Sequence, residues 1–361
     1  MERTIDVTAL GELLIDFTES GLSPQGNPLL EANPGGAPCN LLAMLARLGH
    51  RTAFLGKVGR DAFGDMLRQR VSGVGVDVSG LRVDENIPTT LAFVHTQPGG
   101  ERDFSFYRKP GADLMLGEDE VDFDKIAASR VFHFGTLSST GEPARSATRA
   151  ALAYAKAHGC LISFDPNLRP PLWDSLDRAR EEIDFGLSQC DVLKISDNEL
   201  AFTTGETDID VGVGKLLQRH PIPLVLATMG PGGSKAFFRG QTVFAPPKLT
   251  EKTIETTGAG DTFGGCALHF VLKYGLDGLN EERLRELLTF ANAAASLVTT
   301  RKGALCVMPT PEEVRDHMAR GSKAVDNKSR RMQLVRLHPA FFCVQRLSSS
   351  EMAWGAGGTM G

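Results

Sequence analysis

Short apolar runs alternate with amphipathic stretches along most of this chain. Val131-Phe132-His133-Phe134 precedes a helix-period pattern from Glu142 to His158. Leu161-Ile162-Ser163-Phe164 follows it, then a second helical pattern from Ser175 to Leu187. Val192-Leu193-Lys194-Ile195, a helical stretch near Gly212 to Arg219, and Leu224-Val225-Leu226 continue the series. This strand–helix–strand rhythm predicts an α/β protein with a parallel sheet and helices on both faces. Such sheets bind ligands beyond the carboxyl ends of their strands.

Two segments break the rhythm. Leu13 to Glu31 and Thr89 to Tyr107 read as extended, with turn residues (Gly21, Ser23, Pro24, Gly26; Pro98, Gly99, Gly100) inside them. Gln97-Pro98-Gly99-Gly100, between Leu91-Ala92-Phe93-Val94 and Phe104-Ser105-Phe106, is a hairpin signal. Strands inserted this way are expected to form a small sheet over the main one, as a lid. From about Ala319 the character changes again. Residues 321–361 hold six basic and two acidic residues and end in a Ser run and a Gly-rich stretch, a composition that predicts a disordered basic tail.

The chain has 361 residues, 42% hydrophobic and 23% charged, the balance of a globular protein with a sizeable core. The net charge of -5 offers no general attraction for nucleic acid or anionic lipid. No long apolar stretch predicts a membrane span, and Met1 to Leu10 lacks the apolar centre of a signal peptide. The six cysteines have no metal-ligand spacing and read as small buried hydrophobes in a reducing cytosol, so a cytoplasmic protein is expected.

The strongest motif is Glu255-Thr256-Thr257-Gly258-Ala259-Gly260-Asp261-Thr262-Phe263-Gly264. Small residues let backbone amides approach a ligand, and a helix start adds unpaired N–H groups and a positive dipole end. Together they suit developing phosphoryl charge. Asp261 could merely cap the helix, but a cap does not require Gly-Ala-Gly before it. Other nucleotide motifs are missing: there is no Gly-x-x-x-x-Gly-Lys-Ser/Thr, no Gly-x-Gly-x-x-Gly after the first strand and no protein-kinase signature. Pro34-Gly35-Gly36-Ala37-Pro38-Cys39-Asn40 is a second glycine turn before a helix, where Asn40 offers a donor and an acceptor to a hydroxyl.

These segments resemble the ribokinase-like (PfkB) family of carbohydrate kinases, over about residues 5–318 and with both family signatures in order. Within the family the chain looks most like fructokinases. The matching stretches are Ala9 to Phe17, Asn33 to Asn40, Arg102 to Arg108, Phe164-Asp165-Pro166-Asn167-Leu168-Arg169 and Lys194-Ile195-Ser196-Asp197-Asn198-Glu199. The resemblance implies a three-layer fold, a central mostly parallel sheet flanked by helices, in one kinase domain of residues 1–320 with lid strands from about 12–34 and 88–110. It implies transfer of the γ-phosphoryl group of ATP to a sugar hydroxyl, with Mg2+ as cofactor and K+ as a candidate. Asp261 matches the family's base, and Gly258, Ala259 and Gly260 match its anion hole. Asp16, Gly36 and Asn40 match sugar contacts, and Arg108 and Arg169 match contacts to sugar or phosphate. Thr228, Gly230 and Gly233 match the nucleotide loop, with Lys194 also assigned to the nucleotide and Asn292 to the adenine pocket. Glu199 matches an acid that helps organise magnesium, and Glu255 stands at the monovalent-cation position, where an Asp is commoner. Ser196, Leu42 and Cys266 also depart from the usual pattern.

The expected partners are a small sugar and ATP, with no nucleic acid and no membrane, and the lid leaves room for a homodimer. Fructokinase is the first reading. A 2-keto-3-deoxygluconate kinase, which needs a free cation for its substrate's carboxylate, and a non-catalytic relative acting as an interaction protein stay open.

Overall fold

The computed structural model describes residues 3–96, 102–250 and 252–320. The expected disordered tail and the turn at Gln97 to Gly100 lie outside these residues, as does Cys343. In chain order the strands are β1 (Ile5–Leu10), β2 (Leu14–Leu22), β3 (Pro28–Gly35), β4 (Thr52–Gly59), β5 (Val76–Asp77), β6 (Leu81–Asp84), β7 (Leu91–Thr96) and β8 (Arg102–Tyr107). Then follow β9 (Ser129–Gly135), β10 (Leu161–Asp165), β11 (Val192–Ser196), β12 (Leu224–Thr228), β13 (Ser234–Phe238) and β14 (Gln241–Ala245).

The main sheet runs β14-β13-β12-β11-β10-β9-β1-β4-β5, with β6 also on β4. From β12 to β5 every pairing is parallel; β13 and β14 add an antiparallel edge. Alternate residues of one strand feed two separate cores. Val7 and Ala9 of β1, Val192 of β11 and Leu224 and Leu226 of β12 join one core. Leu10, Leu193, Ile195, Val225 and Ala227 join the other. Period-two alternation with apolar residues on both sides makes this the middle layer of three.

The helices fall close to their expected places: Ala144–Ala157, Leu176–Gln189 and Ile209–Arg219 occupy the three predicted stretches. The β13–β14 hairpin left no expectation in the sequence. Its tight turn uses Arg239 (φ 50) and Gly240 (φ 78), the two left-handed residues of a primed turn. Arg-Gly does not announce that turn as Asn-Gly would.

The two extended segments pair into a second sheet of order β3-β2-β7-β8. β2 pairs antiparallel with β3 and parallel with β7, and β7 pairs antiparallel with β8. This sheet therefore joins two segments far apart in sequence. Phe17 of β2 stacks on Phe93 of β7 with ring centroids 5.0 Å apart, and Phe63 meets Phe17 edge-on at 5.7 Å. These contacts fix the second sheet's base beside the carboxyl ends of β1 and β4.

Candidate active site

The carboxyl ends of β10, β11 and β12 and the first turn of the helix Ala259–Tyr274 meet in one place. Gly258 caps that helix in a left-handed conformation (φ 76), and a Cβ there would collide with Ala304. Only glycine fits both demands. Asp261 stands in the first turn, and Asn40 donates from Nδ2 to Asp261 Oδ2 at 2.8 Å. Burial raises the Asp261 carboxyl above its ordinary value, against the lowering effect of the Asn40 bond, Lys194 and Arg169. A buried acid of raised pKa is a better proton acceptor than an exposed one. Among the three expected anion-hole amides, that of Ala259 donates back to Thr256 O at 3.3 Å. Gly258 and Gly260 flank it in the same turn.

A buried charge cluster sits under this turn. Lys194 on β11 contacts Asp165 Oδ2 at 3.0 Å and Oδ1 at 3.3 Å. Its ammonium lies 2.9 Å from the point where a Cβ on Gly260 would stand. Lys194 was expected at the nucleotide; its ammonium stands against the helix turn at Gly260. Burial works against its charge, yet Asp165, Glu199 and Asp261 together hold its pKa above the usual lysine value. Burial pushes Asp165 up to about 6 against the opposing charge of Lys194, with Glu199 and Asp261 adding to the rise. His133 beneath is driven down to about 3 by burial and by Lys194, and stays neutral.

Glu199 works mainly as a clamp. Its Oε1 accepts the Leu168 N–H at 2.9 Å, and its Oε2 accepts the Ser196 N–H and hydroxyl at 2.8 Å each. Despite burial, Lys194 and these donors keep its pKa low. Ser196, a departure from the family pattern, also caps the helix Asp197–Thr204. The clamp shapes the turn after β10, where Asn167 is left-handed (φ 45) and donates to Asp165 Oδ1. Arg169 follows; its NH1 donates to Leu168 O at 3.1 Å, and its charge reaches Asp261.

On the other side of Asp261 lie Asp16, Gly36 and Asn40. Gly36 (φ 125) starts the helix Ala37–Arg47, and a Cβ on Gly35 would run into the Asp16 carboxylate. Asn40 Oδ1 is buried without a partner. Glu12 was missed as a contributor: it is 3% exposed and accepts the Ala37 N–H at 2.8 Å, and burial pushes it to about 7. Arg108 does not reach into this group as a free cation. It is 3% exposed and donates to Asp113 through Nε and NH2, to Leu137 O and to Thr140 Oγ1. Asp113, five residues on in an unremarkable Gly-Ala-Asp turn, gave no sequence signal.

A cavity of about 330 Å³ opens beside the same helix turn. Thr228, Gly230, Gly233, Ala259, Gly260 and Asn292 are among its lining residues. Asn292 accepts from Ser234 and donates to Ala245 O and Pro246 O. Lys248, which sequence reasoning did not single out, also lines it, and burial lowers its pKa. Glu255 Oε1 accepts the Gly303 N–H at 3.0 Å, and the N–H groups of Ile254 and Glu255 both donate to Thr299 O. The loop before the helix start is thereby tied to 299–303. Among the described residues no cluster of three or more His, Cys, Asp or Glu side chains could hold a metal alone. Of the described cysteines four are buried and Cys306 is exposed. No helix of the described residues is long and apolar enough to cross a membrane.

The sequence pattern of the pfkB family carbohydrate kinases matches residues 4–311. Fructokinase-1 of Zea mays is 41% identical over 313 residues, 85% of this chain and 96% of the relative. Fructokinase-2 of Solanum habrochaites is 41% identical over 312 residues, 85% of this chain and 94% of the relative. The crystal structure of a fructokinase from Xylella fastidiosa with bound ATP superposes with a TM-score of 0.80 at 31% identity, covering 88% of this chain and 99% of that one. A double mutant of the Vibrio cholerae O395 fructokinase, with fructose, ADP and potassium bound, gives 0.78 at 30% identity over the same shares.

Proposed function

We infer that this chain, which belongs to the pfkB family of carbohydrate kinases, is an ATP-dependent fructokinase. It moves the γ-phosphoryl group of ATP to a hydroxyl of D-fructose, giving ADP and fructose 6-phosphate. One observation carries the reading: the Asn40–Asp261 hydrogen bond joins the sugar-side turn to the helix turn at which the nucleotide cavity ends.

ATP would occupy the cavity lined by Thr228, Gly230, Gly233 and Asn292, with its γ-phosphoryl group over Gly258 to Gly260. The sugar would lie between Asp16, Gly36 and Asn40. Asn40 Oδ1, buried and unpartnered, suits a sugar hydroxyl donor. Asp261 takes the proton of the attacking hydroxyl while the sugar oxygen bonds to phosphorus and the bond from phosphorus to the bridging oxygen breaks. In a loose transition state that proton leaves late and needs only an acceptor in place. The helix turn, Lys194 and Arg169 stabilise charge on the transferred group. Magnesium, when bound to the nucleotide phosphates, supplies further neutralisation. A site of that kind uses phosphates, water and one or two carboxylates, which fits Glu199 acting through water. Glu255 with carbonyls of 298–303 would hold a monovalent cation that stiffens the loop. The second sheet, acting as a lid over the sugar, would exclude water.

Fructose is favoured over a carboxylate-bearing sugar because Arg108 is engaged by Asp113 and Asp16 stands on the sugar side. A kinase domain of about 1–320, a cytoplasmic setting and a homodimer covering the exposed Leu22, Leu29, Leu30 and Tyr107 of the second sheet belong to the same proposal. The test is ATP-dependent phosphorylation over fructose, 2-keto-3-deoxygluconate, ribose, tagatose and adenosine. A preference for the carboxylate sugar would move the assignment, and no turnover with any of them would favour the non-catalytic reading.

A further inference from the structure

Three carboxylates act on the Lys194 charge: Asp165, Glu199 and Asp261. They are not equally available to it. Glu199 is occupied by the N–H groups of Leu168 and Ser196 and by the Ser196 hydroxyl. Asp261 has one oxygen in use, by Asn40. Asp165 alone contacts the ammonium with both oxygens, at 3.0 and 3.3 Å. It is 5% exposed at the end of β10, and Asn167 N–H bonds one of its oxygens at 3.2 Å. So Asp165 is a fixed anchor, and what it anchors stands 2.9 Å from the Cβ position of Gly260.

We propose that Asp165 is a positioning residue for the kinase reaction: it holds the Lys194 ammonium against the helix turn at Gly260, facing the transferred phosphoryl group, and out of an ion pair with Asp261. The proposal rests on the fructokinase reading above. A buried ammonium does not stay unpaired. If Asp165 loses its charge, the ammonium is drawn to the two other acids that act on it, Glu199 and Asp261, and of these Asp261 carries the single hydrogen bond from Asn40 while Glu199 carries three. An ion pair with Asp261 occupies the base and removes a cation from the phosphoryl group. Both effects act on the chemical step. Neither acts directly on Asp16 or Gly36 on the sugar side, and Asn40 meets the change only through its bond to Asp261.

The experiment is a double-mutant cycle on the full chain: wild type, Asp165→Asn, Lys194→Met and the double variant, each assayed with fructose and MgATP and checked by thermal melting. Asp165→Asn should lower kcat by roughly tenfold to a hundredfold with the KM for fructose changed less than about twofold. Adding Asp165→Asn to Lys194→Met should change kcat by less than about threefold, because the ammonium on which Asp165 acts is gone. Losses that instead multiply in the double variant overturn the proposal, as does a raised fructose KM with kcat intact. If Asp165→Asn does not fold, Lys194→Met against the double variant decides the question alone. Neither of those two buries an unpaired ammonium. A ratio near one supports the proposal, and a drop of about tenfold or more defeats it. A folded wild type without fructose phosphorylation overturns the kinase reading and this inference together; an active wild type with independent losses overturns this inference alone.

Discussion

Two buried charge clusters, one around Arg108 and one around Lys194, differ in balance. Around Arg108, one carboxylate, one carbonyl and one hydroxyl take four of the N–H donors of a side chain that is 3% exposed. Arg108 thereby ties the exit of the second sheet to the end of β9. Around Lys194, three acids face two cations, Lys194 and Arg169, and the pKa values of Asp165 and Asp261 are raised. A saturated cluster holds a structure together. A cluster left with surplus charge and perturbed acids is where chemistry is to be sought.

Breaking the saturated cluster should have the largest effect. Arg108→Met leaves Asp113 buried and unpaired, so the unfolding free energy should fall by roughly 3–5 kcal/mol in denaturant titration. Intact stability with a raised KM for fructose would return Arg108 to the sugar site. In the unsaturated cluster, Asp261→Asn keeps shape but removes the proton acceptor. Its kcat should drop by about 10²-fold or more with ATP binding and melting temperature largely kept. Near-normal turnover would remove Asp261 from the mechanism.

The same contrast sets the sugar. With Arg108 engaged, fructose should exceed 2-keto-3-deoxygluconate by at least about tenfold in kcat/KM, because Arg108, held by Asp113, is not available to the carboxylate. Glu12 offers a subtler check. Its folded pKa of about 7 lies above the ordinary 4.5, so the native state binds the extra proton. The stability this group contributes is complete below pH 4.5 and is lost as pH rises to about 7. Glu12→Gln should flatten that part of the stability–pH curve while Ala37 keeps an acceptor. An unchanged slope would mean that Glu12 ionises like an exposed acid. The smallest expected effect is at Glu255. Replacing sodium by potassium at constant ionic strength should raise kcat, and Glu255→Ala should lose that response. Equal activity of the wild type in both salts would show that the hydrogen bonds to Gly303 and Thr299 suffice to hold the loop.

Much of this could be read along the chain. The strand–helix rhythm foretold the parallel sheet, and the two segments that broke it foretold the second sheet, though not that β2 would pair with β7. Gly258 to Asp261 announced a glycine-capped helix start with an acid in its first turn. Both signals are local: strand and helix periods and a glycine before a helix act over a few residues. The charge pairings are not local. Asn40 reaches Asp261 across 221 positions, Lys194 reaches Asp165 across 29, and Glu199 reaches Leu168 across 31. Which arginine is engaged, which acid is a clamp and which keeps a raised pKa depend on burial and on partners delivered by different strands. The sequence by itself determined the layers and the chemistry-bearing turn. Only the tertiary structure decided which charges are satisfied, because the balance of a buried group is struck with neighbours that the chain brings together only when it folds.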